Sequence, residues 1–163
     1  MTAPRILETL NRYDLKTGAL LHAVSEQRQR ALTHAVEGLA AQVCNAYLKG
    51  DAQARIVIVR TIGRKSALLG HLFTFAQHCI DEAELAHAAG KTRRATTQLR
   101  LGIVADTILD GRIEESYLKP IQDRMIGLAM ALEFDLSSLA GEPDLPLAGS
   151  FRSIHAAPAR SGH

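Results

Sequence analysis

Five histidines, His22, His34, His71, His78 and His87, fall in segments with helical apolar spacing, and four of them have a carboxylate one turn away. His22 and Glu26 are four apart, His34 and Glu37 three, His78 and Glu82 four, and Glu84 and His87 three. His71 precedes His78 by two turns on the same face. Side chains three or four apart on a helix can hold one cation together, and helical bundles build metal sites from such pairs. His71, His78, Glu82, Glu84 and His87 are therefore the candidate ligands. A dimetal bundle, however, needs a Glu-x-x-His on each of two helices and a further Glu on each of two others. This chain has one Glu-x-x-His, Glu84 to His87. The competing reading, ordinary charge pairs on a solvated surface, needs no further residues.

Cations form the second constellation: Arg64 and Lys65 in a turn, Lys91, Arg93 and Arg94 where a helix should start, and Arg100 beyond them. Phosphate contacts need such residues on one face. Cations at a helix start oppose the helix dipole, which suggests that Lys91, Arg93 and Arg94 serve something external. No helix-turn-helix signature and no aromatic stacking platform accompanies them. Gly90-Lys-Thr92 looks like the end of a phosphate-binding loop, but the full pattern needs glycine where Leu85 stands and a strand before it. His87 loosely resembles the phospho-accepting histidine of a phosphotransfer domain. Those domains place Lys and Gly in the other order from Gly90-Lys91, and shared helical architecture does not license function.

Nucleophilic chemistry has less support still. Cys44 and Cys79 lie in apolar helical patterns, outside any CxxC or elbow motif, and read as reduced, buried thiols. Enzyme is the least supported class, and no cofactor is predicted.

The elements that would position these residues are helices. Of the 163 residues, 47% are apolar but only 4% aromatic, with no Trp, so the core must come from Leu, Ala, Ile and Val. Pro4 reads as an early helical position, followed by Ile6, Leu7 and Leu10 on one face. Asp14 is a candidate cap for a long second helix carrying Leu20, Leu21, Val24, Leu32, Val36, Leu39, Val43 and Tyr47, with a bend permitted at residues 25–30. Arg55 to Ile62 is rich in β-branched residues, yet nothing else in the chain offers a strand to pair with it. It is read as a buried helix capped by Asp51. Ser66 is a candidate cap for a helix with a seam through Leu69, Leu72, Phe73, Ala76, Cys79, Ile80, Ala83 and Ala86, ending near Gly90. A helix from about Thr92 to Asp110 closes at Gly111, and Pro120 opens the last one.

These features predict an all-α fold, an up-and-down bundle of five or six helices over residues 1–140, and a flexible tail over residues 141–163. In that tail Phe151 and Ile154 are isolated apolar residues. No apolar run approaches bilayer length. The opening Met-Thr-Ala-Pro-Arg lacks a basic region followed by an apolar run, so a cytoplasmic protein is expected.

The formal charge of +2 is unevenly spread. Residues 52–102 carry eight basic and three acidic side chains, and residues 103–145 carry three basic and nine acidic ones. Intramolecular complementarity is the simpler explanation, and head-to-tail association or a charged partner the sharper one. The leading functional expectation is a non-enzymatic helical adaptor or regulator acting through protein contacts, its own homo-oligomer included. The alternatives are a nucleic-acid-associated factor using the basic residues between 60 and 100, and a metal- or cofactor-binding bundle.

Overall fold

A computed structural model describes residues 3–134, so the tail expected beyond residue 140 lies outside the described residues. Among the described residues there are six α-helices and no strand. They are α1 (Ala3–Leu21), α2 (Glu26–Lys49), α3 (Ala52–Gly63), α4 (Ser66–Ala88), α5 (Thr92–Leu109) and α6 (Glu115–Ala131). The fold is all-α. The helices gather into two compact units, one running to Phe75 and the other starting at Ala76, so α4 contributes its first half to one and its second half to the other.

In the first unit α1, α2 and α3 pack against one another. The buried stripe of α1 runs through Ile6, Leu10, Tyr13 and Thr17, at spacings of four, three and four. That stripe carries the helix straight past Asp14, which sits inside α1 and pairs with Lys65 at 2.9 Å rather than capping the next helix. The break comes at residues 22–25, and the cap of α2 is Ser25, whose side chain accepts from the Arg28 N–H at 3.2 Å. The expected stripe of α2, from Leu32 through Tyr47, is buried throughout.

The strand-like stretch is helical, as its context required. Asp51 accepts from the Ala54 N–H at 2.9 Å, and Ala54, Arg55, Ile58 and Ile62 face the interior. Arg55 also closes the preceding helix. Its guanidinium donates to the Tyr47 carbonyl at 2.9 Å and the Leu48 carbonyl at 3.2 Å, and lies 5.5 Å from the Tyr47 ring centre. Carbonyls of the last helical turn lack intrahelical partners and carry the negative end of the helix dipole, so a buried cation fits there.

Ser66 is the first residue of α4 rather than its cap; the Lys65 carbonyl accepts the first helical bond, from Leu69, at 3.1 Å. The α4 seam differs from expectation at its start. Leu68, Leu72 and Phe75 are buried, whereas Leu69 and Phe73 are half-buried. Apolar residues surround that part of the helix, so spacing alone does not choose a face. From Ala76 through Cys79, Ile80, Ala83 and Ala86 the expected seam is buried.

In the second unit α5 packs on α6. Its first turns bury only Ala95 and Leu99, but every residue from Gly102 to Leu109 is buried. A Cβ at Gly102 would meet Ile80 Cδ1 at 3.1 Å, Met125 Cε at 3.4 Å and Cys79 Cβ at 3.5 Å, so this glycine lets α4, α5 and α6 approach. Between α4 and α5, Gly90 adopts φ +75°, with Lys91 N–H reaching the Ala86 carbonyl at 2.8 Å and Gly90 N–H the His87 carbonyl at 3.0 Å. This is the paired closure of a Schellman turn. Pro120 does not open α6. The helix starts at Glu115 with a tight first turn, Tyr117 N–H to the Glu114 carbonyl at 3.0 Å, because Leu118 is buried along with Ile121, Gln122 and Met125. Pro120 stands inside the helix, where its missing N–H forgoes one backbone bond.

Candidate functional site

The basic residues at the start of α5 converge on one surface recess. Lys91, Thr92, Arg93, Arg94, Thr97 and Gln98 line an open hollow of about 580 Å³. Lys91 is the cap residue of α5 but makes no side-chain capping bond, and no carboxylate stands in the first turn. The free N–H groups and positive dipole end of α5 therefore lie among three cations, with no carboxylate in the first turn of the helix. Arg94 is bonded to Glu82 at 3.0 Å. Lys91 and Arg93 are exposed and make no ion pair among the described residues.

The other three basic candidates stand elsewhere. Arg64 is the residue that ends α3, and Lys65 is paired with Asp14; both belong to the first unit. Arg100 is half-buried, with its guanidinium 5.8 Å from the Phe134 ring centre.

The candidate metal ligands are drawn to other partners. Glu82 binds Arg94, and Glu84 binds Arg124, whose guanidinium also reaches Asp81 at 2.6 Å. Those two carboxylates hold the Arg124 guanidinium above the usual arginine range. Glu26, four residues from His22, binds Arg30 at 2.8 Å. His78 and His87 are exposed. His71 belongs to the first unit, where its Nδ1 shares a hydrogen bond of 2.7 Å with Oη of the fully buried Tyr13, the rings meeting edge to face. Burial lowers His71 from 6.5 to about 4 and pushes the Tyr13 phenol up, with Cys44 adding to the rise. Among the described residues no group of three or more His, Cys, Asp or Glu side chains could hold a metal ion.

The ion pairs run against the charge asymmetry of the sequence. Arg124, from the acidic segment, binds Asp81 and Glu84 of the basic one, and Arg94 binds Glu82 within the basic segment. It is the minority charges of each segment that are used here.

Two features escaped the sequence reading. The first is Asp106, fully buried in α5, with Gln122 of α6 donating from Nε2 to its Oδ1 at 2.9 Å. Its signal was available: Leu99, Ile103 and Asp106 are spaced four and three apart, which puts a carboxylate on the apolar stripe of α5. The second is an exposed apolar end of α1. Leu15, Leu21 and Val24 are 74%, 67% and 98% exposed. Lys16 of α1 and Ser25, Gln27, Arg28, Ala31, Leu32 and Ala35 around the start of α2, the first two next in sequence to Leu15 and Val24, line a recess of about 430 Å³. Leu21 and Val24 were expected among the apolar residues of the long second helix, but they stand exposed at the break between α1 and α2, and Leu15 is indistinguishable by type from a core residue. Cys44 and Cys79 are buried thiols outside any disulfide.

No helix among the described residues is long and apolar enough to cross a membrane. The chain matches no family model, no curated protein and no solved structure.

Proposed function

We propose that this chain is a non-enzymatic helical interaction protein that acts by binding proteins, a second copy of itself included, through the end of the first unit where α1 meets α2. The observation that carries this reading is the exposure of Leu15, Leu21 and Val24 within ten residues of one another. Singly exposed apolar residues are ordinary, but three large ones close in sequence, two of them adjoining residues that line a recess, suit a contact surface. A small net charge leaves self-association weakly opposed by repulsion. Sedimentation velocity over a concentration series tests it. The unaltered chain should gain mass with concentration, and Leu15→Glu combined with Val24→Glu should remain monomeric with an unchanged thermal melt. A chain that stays monomeric up to high concentration would overturn the self-association.

A second reading rests on a separate observation, the cluster of cations around the α5 recess, of which Lys91 and Arg93 make no ion pair among the described residues. It takes the partner to be a nucleic acid, bound through phosphates by Lys91, Arg93 and Arg94. Fluorescence anisotropy with a labelled single strand and a labelled duplex should show binding that weakens steeply from 50 to 200 mM salt, by about 10-fold or more for several phosphate contacts. Arg93→Ala with Arg94→Ala should weaken both probes alike. Absence of binding at low salt disposes of the reading.

A further inference from the structure

We propose that Asp106 is a proton-controlled latch between α5 and α6: neutral, it holds the second unit closed, and ionised, it loosens α6. Asp106 lies in the stretch Gly102–Leu109, every residue of which is buried. The Gln122 amide donates to Oδ1 at 2.9 Å, while Oδ2, equally buried, has no hydrogen-bond partner among the described residues. A buried carboxylate needs a cation or several donors to offset its lost hydration. One neutral amide does not supply that, whereas the uncharged acid has far less hydration to lose.

Among the described residues, the charge acting on Asp106 is a like one. From α6 the facing group is the neutral Gln122, and from α5 itself it is Asp110, a like charge one turn on. On the α4 side the residues packed against α5 at Gly102, one turn earlier, are Cys79 and Ile80, with Met125 of α6 closing the same contact. Of the two α6 cations, Arg124 is engaged by Asp81 and Glu84 of α4, and Lys119 is exposed and paired with Asp123 at 3.5 Å. Burial pushes the Asp106 carboxyl up to about 7; the Gln122 bond works in the opposite direction, and Asp110 adds to the rise.

The sign of the effect follows from linkage. Opened to water, Asp106 returns to an ordinary carboxyl, so opening releases a proton at any pH between the two values. The opening equilibrium should therefore rise about tenfold per pH unit up to about pH 7 and level off above it. Hydrogen exchange of the α6 amides in the full chain, corrected for intrinsic rates and followed from pH 5 to 8.5, reads this directly. Protection of α6 in the unaltered chain, relative to Asp106→Asn, should fall about tenfold per unit and then flatten. Parallel profiles for the two chains would overturn the latch. Should Asp106→Asn fail to fold, carboxyl-carbon NMR of the unaltered chain decides: a midpoint near neutrality supports the latch, and one in the ordinary carboxylate range overturns it.

Discussion

Arg55 is a basic side chain in a buried position, and what accommodates it there is the end of α2. The Tyr47 and Leu48 carbonyls accept from its guanidinium, and the Tyr47 ring takes its face. The planar fork matters more than the charge, because a lysine ammonium cannot reach two carbonyls and stack at once. Arg55→Ala strips that turn of its donor and leaves its carbonyls short of partners in a site closed to water. The expected loss is about 2–3 kcal/mol, read as a lowered urea midpoint, with Arg55→Lys recovering only part of it. In the sequence Arg55 is one more basic residue of the segment 52–102, and its burial depends on where α2 ends.

The helices are set by their ends as much as by their stripes. Gly50 joins α2 to α3 with φ −81°, a backbone any residue adopts, so its requirement is space. A Cβ there would stand 2.6 Å from the Ala46 carbonyl oxygen and 2.8 Å from the Ala54 Cβ. Neither neighbour is a flexible tip, so the α2–α3 junction must shift. Gly50→Ala is expected to cost about 1–3 kcal/mol in chemical denaturation despite alanine's higher helix propensity. The opposite change applies at the end of α6. Glu133 adopts φ +51° and closes that helix through Phe134 N–H to the Ala129 carbonyl at 2.8 Å. This is the place of a Schellman glycine, occupied by a residue that a left-handed backbone strains. Glu133→Gly should raise stability by about 0.5–1 kcal/mol, visible as a higher melting temperature. An unchanged or lower value would mean that Glu133 makes a contact worth more than the strain.

Across the whole molecule, two buried titratable groups pull stability in opposite directions with pH. His71 in the first unit is held neutral by burial, so its contribution is complete above about pH 6.5 and is lost as pH falls toward 4. Asp106 in the second unit is held neutral from the other side. Its contribution is complete below about pH 4 and is lost as pH rises through 7. Between these limits the two slopes oppose each other, and melting temperature should be nearly level from pH 4.5 to 6.5. His71→Asn should uncover a decline with rising pH, and Asp106→Asn a rise. Because α4 is one unbroken helix shared by both units, unfolding either unit takes half of it away, and calorimetry should record one transition. Two transitions, each carrying one slope, would show that the units melt separately.

What the sequence determined by itself is the helical content and most of the punctuation. Leu32 through Tyr47, the Asp51 cap, the Gly90 and Gly111 terminators and the helical state of Arg55 to Ile62 all rest on local spacing or on backbone hydrogen bonding, and local rules are written in local sequence. Two misplaced boundaries have a common cause. Asp14 and Pro120 are residues suited to a helix start, but a start forms where a buried stripe begins, and Ile6–Thr17 and Leu118 extend their helices past those signals, whereas Ser66 differs from the cap of α4 by a single residue. Only the tertiary structure decided which apolar residues are core, as Leu68 and Phe75 are while Leu15 and Val24 are not. It also gathered Lys91, Arg93 and Arg94 around a recess while engaging Lys65 and Arg100 elsewhere, and it sealed Asp106 beside Gln122. Burial and charge pairing depend on which neighbour arrives from a distant part of the chain, and helical periodicity repeats every turn without naming that neighbour.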